Sequence, residues 1–105
     1  RYLQLDANDI LAMVYTWQNG DISDNPLYSG DFHKALGSTK AKAIVMPSRT
    51  DQYFPPEDNE IEVGHMPNAE LRVIPTIWGH IGGGPGRNPA DTKFIDDALK
   101  ELLAS

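Results

Sequence analysis

Ala43-Ile44-Val45-Met46-Pro47-Ser48-Arg49-Thr50-Asp51 and Glu70-Leu71-Arg72-Val73-Ile74-Pro75-Thr76-Ile77-Trp78-Gly79-His80 are two apolar runs, each ending on a side chain able to move protons. Between them, Pro55-Pro56-Glu57-Asp58 opens a segment that Pro67 closes. Proline costs least in a first helical turn, and acidic residues there suit the helix dipole, so the segment reads as a helix. Strand, helix, strand predicts a right-handed parallel crossover, because parallel neighbours need a long connection. Residues 43–46 are continuously apolar rather than alternating, and both runs predict strands covered on both faces. Ligands and catalysis in such sheets lie beyond the carboxyl ends of the strands. Asp51 and His80 fall there, one after each strand.

Upstream, residues 6–19 read as a helix that Asp6 caps, with Asp9 at its third position in a capping-box arrangement. Ile10, Met13, Val14 and Trp17 recur at helical spacing and give it one apolar face, and Gly20 stops it. Trp17 reads as core or interface. Residues 20–31, rich in Asp, Gly, Ser and an Asn-Pro pair, read as a loop. Asp31-Phe32-His33-Lys34-Ala35-Leu36-Gly37 predicts one or two helical turns, and Lys40-Ala41-Lys42 leads into the first strand. Downstream of His80, Gly82-Gly83-Gly84-Pro85-Gly86-Arg87 is a loop by composition. Asn88 then caps a last helix with Pro89 at its first position and a stripe of Phe94, Ile95, Ala98, Leu99, Leu102 and Leu103.

The fold class is therefore α/β, in the order helix, loop, β, α, β, loop, α. Two strands are too few for an independent sheet. The expectation is half of a doubly wound domain, completed by the upstream half of the same protein or by another copy of the chain. Residues 1–41 form a helical segment and linker, and residues 42–105 a β-α-β-α portion of the core.

The chain has 105 residues, 40% apolar and 23% charged, a composition of folded rather than disordered proteins. Its net charge of −6 disfavours nucleic acid and anionic membrane surfaces. No run approaches the roughly 18 apolar residues of a spanning helix. The chain has no cysteine, which excludes disulfides, thiol nucleophiles and thiolate metal sites and fits a cytoplasmic protein. It begins at Arg1 without a Met or a signal peptide, and that start, close to a helix, suggests a piece of something longer.

In a Ser-His-acid triad the carboxylate accepts the imidazole Nδ1 proton, and Nε2 takes the proton of the serine hydroxyl. Asp51 and His80 come in the acid-then-His order of α/β-hydrolases. Spacing alone leaves the alternative open that Asp51 caps a turn and His80 is an ordinary loop residue. The nucleophile is missing. There is no Gly-x-Ser-x-Gly, and none of Ser23, Ser29, Ser38, Ser48 or Ser105 falls on a strand-to-helix elbow. A triad without its serine loses about six orders of magnitude in turnover, so the chain alone is expected to be inactive.

Asp6-Ala7-Asn8, the turn from Gly30-Asp31 to Leu36, Lys42-Ala43-Ile44-Val45-Met46-Pro47, Thr50-Asp51-Gln52-Tyr53-Phe54-Pro55-Pro56 and Gly79-His80 together resemble the C-terminal region of homoserine O-acetyltransferase-like α/β-hydrolases. The resemblance spans nearly the whole chain in order, and Asp-x-x-Phe-Pro-Pro with the later Gly-His is its most specific part. It implies that Asp51 is the triad acid, that His80 is the base, and that residues 1–41 derive from the lid. It also implies that the nucleophile elbow and oxyanion hole lie upstream of this sequence. One position departs. Acetyltransferases acting on homoserine carry an Asp directly after the triad His, and Ile81 stands there in this chain. An ester hydrolase or an acyltransferase with another acceptor is then an equal expectation, acting on a small-molecule acyl donor such as an acyl-CoA or an ester.

Tyr53 and Phe54 are candidates to line an acyl or acceptor pocket, with core packing the alternative for Phe54. Arg49 is a candidate to meet a substrate carboxylate, with a surface salt bridge the more common use. His33, His65 and His80 lack metal-ligand spacing, so no metal and no cofactor is expected. His65 reads as a helix-surface residue. The glycine run with Arg87 lacks a phosphate-binding pattern and reads as a flexible loop. The competing class is non-enzymatic: a truncated α/β module that buries its strand edges by pairing with itself.

Overall fold

A computed structural model describes residues 2–84, 86 and 88–105. The chain divides into two compact units, Arg1–Phe32 and His33–Ser105. In the first, a 3-10 turn (Tyr2–Gln4) precedes helix α1 (Ala7–Asn19). Asp6 caps α1 as its sequence suggests, with Oδ1 accepting from the Asn8 and Asp9 amides at 2.8 and 3.4 Å. Its apolar face is uncovered: no residue of α1 is buried, and Trp17 is 65% exposed. Trp17 is therefore not core in this chain. The following loop is folded on itself, with Asp21 Oδ1 accepting from the Ser23 amide and hydroxyl at 2.8 and 2.6 Å.

Helix α2 (Phe32–Gly37) starts at the boundary between the units and buries Ala35 and Leu36. Strands β1 (Ala43–Val45) and β2 (Ala69–Leu71) then pair in parallel, with helix α3 (Pro56–Gly64) between them in sequence. The expected parallel pairing around an intervening helix is present. The register places Ala43 opposite Ala69, Ile44 opposite Glu70 and Val45 opposite Leu71. The strands are shorter than the apolar runs, and both runs contain a proline that supplies no ladder N–H, Pro47 and Pro75. Pairing resumes just after Pro47 and just before Pro75, at a parallel bridge between Ser48 and Ile74. There the Ile74 amide donates to the Pro47 carbonyl at 2.8 Å and the Arg49 amide to the Ile74 carbonyl at 3.0 Å. The offset of 26 residues seen in β1 and β2 is kept.

Three boundaries differ from expectation. Helix α3 ends at Gly64 rather than at Pro67, and the His65 and Met66 amides close its last turn on Glu62 and Val63. Strand β2 starts one residue earlier than the run suggests and stops before Arg72. The residues before His80 leave the extended conformation, and Gly79–Gly83 forms a 3-10 turn. Helix α4 (Pro89–Leu103) is capped by Asn88, whose Oδ1 accepts from the Ala90 amide at 3.1 Å.

Neither strand is buried on both faces. Residues of β1 are half-buried, and Glu70 in β2 is exposed. Helix α3 packs against β2, and α4 against β1 and the 3-10 turn. These two helices do not cover the whole sheet. Among the described residues the buried apolar set is small: Ala35, Leu36, Ile74 and Ala98. Arg72 closes the β2 side with a fork, its Nη2 reaching Glu70 Oε1 at 2.6 Å and its Nη1 reaching Glu101 Oε2 on α4 at 2.7 Å. Directly after β2, Arg72 thus ties the strand end to α4 through both oxygens of Glu101.

Candidate active site

The parallel pairing delivers two chain segments side by side and then lets them diverge. On the first, Ser48 pairs with Ile74, and the Asp51 amide donates to the Ser48 carbonyl at 3.0 Å, which curls the chain and turns Asp51 inward. On the second, Gly79 adopts φ of +58°, a left-handed conformation that glycine takes at little cost, and starts the turn that carries His80. Asp51 Oδ2 and His80 Nδ1 meet at 3.0 Å.

Asp51 is acceptor-only when ionised, so His80 Nδ1 carries the proton of that bond and, in the neutral ring, Nε2 is the acceptor nitrogen. The other carboxylate oxygen, Oδ1, accepts from the amides of Tyr53 and Phe54 at 2.8 and 3.2 Å. Burial pushes the Asp51 carboxyl up, but the hydrogen bonds from His80, Tyr53 and Phe54 outweigh it and hold it below the usual carboxylate range. The pair is asymmetric: the Asp51 side chain is 7% exposed and that of His80 is 51% exposed. A fixed, buried anion thus orients a ring that remains open to an incoming group.

Tyr53 and Phe54 flank that ring. Tyr53 meets it edge-on at 5.1 Å between centroids, and Phe54 is tilted against it at 5.5 Å. A cleft of about 500 Å³ opens here, with Met46, Pro47 and Phe54 supplying apolar wall and Asp51, Asn59 and His80 polar wall. Of the residues singled out in the sequence, Asp51, His80, Tyr53 and Phe54 come together. Arg49 does not join them; its side chain is exposed and absent from the cleft lining. Ser48 lines the cleft but follows the strand without a helix behind it. Arg87 lies outside the described residues.

Three residues behind the pair, Thr50, Thr76 and Gly82, bear no motif in the sequence. Thr50 Oγ1 accepts from the Gly79 amide at 3.0 Å and donates to the Thr76 carbonyl at 3.3 Å. Thr76 Oγ1 accepts from the Trp78 amide at 3.2 Å. Gly82 is buried, and a Cβ there would collide with Thr76 Cγ2 and stand 3.0 Å from Ser48 Oγ. The signal that could have found the first two is the register: Thr50 and Thr76 keep the 26-residue offset of the strands. His33 and His65, far apart in sequence, stack at 3.7 Å between centroids. Among the described residues, no group of three or more His, Asp or Glu side chains could hold a metal ion. Nor is any helix among them long and apolar enough to cross a membrane.

No protein-family model matches the chain. Curated relatives do. An ethyl acetate hydrolase of Pseudomonas veronii is 40% identical over 104 residues, covering 99% of this chain and 29% of that protein. A probable esterase of Corynebacterium glutamicum is 42% identical over 106 residues, again with 29% of its length matched. A homoserine O-acetyltransferase of Chloroherpeton thalassium is more distant, at 27% identity over 101 residues and 23% of its length. Among solved structures, the acetyl esterase MekB superposes with a TM-score of 0.86 at 40% identity, over 96% of this chain and 28% of that one. The chain thus spans under a third of the relatives it matches. These are matches to their C-terminal regions. They support an α/β-hydrolase family, nearer to esterases than to homoserine acetyltransferases, and the small parallel sheet fits a partial hydrolase fold.

Proposed function

We propose that this chain supplies the acid and the base of a Ser-His-Asp triad to an α/β-hydrolase-fold esterase of which it is one part. The single observation that carries the reading is the 3.0 Å bond from His80 Nδ1 to a buried Asp51 whose other oxygen is already held by two backbone amides. A serine in the remainder of the protein attacks the acyl carbonyl, and His80 Nε2 takes its proton. Asp51 stabilises the imidazolium, which then protonates the leaving alcohol as the tetrahedral intermediate collapses to an acyl-serine. Water, activated by the same imidazole, releases the acid and restores the serine. Tyr53 and Phe54 flank the ring, and Arg49, whose side chain does not line the cleft, takes no part in this reading. Residues 1–41 belong to the lid in this reading, and the upstream half of the protein is the partner that covers the sheet.

The substrate class is a small ester, drawn from the hydrolysis named for the ethyl acetate and acetyl ester relatives. Ile81 after the base, in place of the Asp of acetyltransferases acting on homoserine, favours this over homoserine as acceptor. In the protein that carries this chain, ethyl acetate is expected to yield acetate and ethanol. Acetyl-CoA with homoserine is expected to yield little transfer product. His80→Ala should lower ester turnover by about 10⁴-fold or more. A His80→Ala enzyme turning over at the normal rate contradicts the proposal.

A further inference from the structure

Thr50 precedes Asp51 and Gly79 precedes His80, so a bond between Thr50 and Gly79 joins the two segments one residue behind the acid and the base. The Thr50 hydroxyl makes that bond and a second one, accepting from the Gly79 amide at 3.0 Å and donating to the Thr76 carbonyl at 3.3 Å. The ladder of the two strands has ended by then: the last backbone bridge pairs Ser48 with Ile74, and the following segments diverge into a turn at Asp51 and a 3-10 turn at Gly79–Gly83. Past that bridge the Asp51–His80 bond is made by a half-exposed ring, so it does not hold the turns in register by itself. We propose that Thr50 is the positioning residue of the Asp51–His80 pair, its hydroxyl standing in for the missing ladder bonds and setting the separation of the two turns. Gly79 at φ of +58° is the complementary part, since that conformation begins the turn and its amide is the one Thr50 receives.

The inference rests on the reading of Asp51 and His80 as acid and base, and its test separates the two. In the protein that carries this chain, Thr50→Val keeps the shape and removes both bonds, while Thr50→Ser keeps the hydroxyl. Thr50→Val is expected to lower kcat by about 10²-fold with KM little changed, the cost of a misplaced catalytic group. The limb of the pH profile that reports His80 should move, and Thr50→Ser should restore both. Independently of turnover, the downfield proton NMR signal of His80 Nδ1–H should shift upfield or broaden in Thr50→Val and return in Thr50→Ser. Wild-type kcat and an unmoved Nδ1–H signal in Thr50→Val overturn the positioning role. So does a loss of kcat with pH profile and signal unchanged, which marks a merely structural defect. If His80→Ala stays fully active, the triad reading falls instead, and the NMR signal still decides whether Thr50 holds the pair.

Discussion

Asp51 is pulled in two directions: burial raises its pKa, and bonds from His80 Nδ1 and the Tyr53 and Phe54 amides lower it further than burial raises it. Its folded pKa therefore lies below that of the unfolded chain, near the ordinary value of about 3.9. A depressed carboxylate contributes stability above the unfolded pKa and loses it as pH falls through the folded one. The stability gap between wild type and Asp51→Asn should accordingly narrow as pH drops below that ordinary value, measured by denaturant unfolding across the acid range. A gap that widens towards acid means that burial dominates and the carboxylate is strained. Gly82 makes a second claim at this scale. With no room for a Cβ between Thr76 and Ser48, Gly82→Ala should overpack the back of the site at a cost of about 1–3 kcal/mol, read as a lowered Tm. An unchanged Tm means the 3-10 turn shifts freely, and the packing argument fails.

The element that carries the site is the parallel pair β1 and β2 with its extension to Ser48 and Ile74. Ile74 is 1% exposed and sits where the two segments last touch before they diverge. Ile74→Ala should cost about 2–5 kcal/mol and loosen both turns at once, seen as lower Tm together with lower turnover. A loss of Tm with undiminished turnover means that the bridge does not position the turns. The crossover and the places of Asp51 and His80 were legible from the two apolar runs and the Pro-Pro-Glu-Asp helix start. The strand ends were not. Apolar character continues through Pro47, whose missing N–H interrupts the ladder before it resumes at Ser48 and Ile74, and on through Pro75 beyond that last bridge. The 3-10 turn under His80 was hidden as well, because Gly79 read as part of the second run and Gly82–Gly83 as loop by composition, while the roles of Gly79 and Gly82 come from a positive φ and a tight contact. Thr50 and Thr76 are small polar residues whose meaning appears only once the register is known. The expectation of strands covered on both faces failed for a different reason: the apolar runs record a burial that α3 and α4 alone do not supply.

Among the described residues, large apolar side chains are exposed far more often than apolar side chains are buried. Leu11, Met13, Tyr15 and Trp17 on α1 and Leu99 and Leu103 on α4 are exposed, while Ala35, Leu36, Ile74 and Ala98 make up the buried apolar set among the described residues. A chain spanning 29% of its esterase relatives and burying so little fits a part that other segments cover. In the proposed reading the Asp51–His80 pair is the part of the chain with a chemical role, activating a serine elsewhere in the same protein. Labelling of the complete protein by a serine-reactive fluorophosphonate, followed by peptide mapping, tests this most directly. The account expects one serine to be labelled, outside these 105 residues, and the labelling rate to fall by orders of magnitude in His80→Ala. Labelling at an undiminished rate in His80→Ala, or at a serine within this chain, contradicts it.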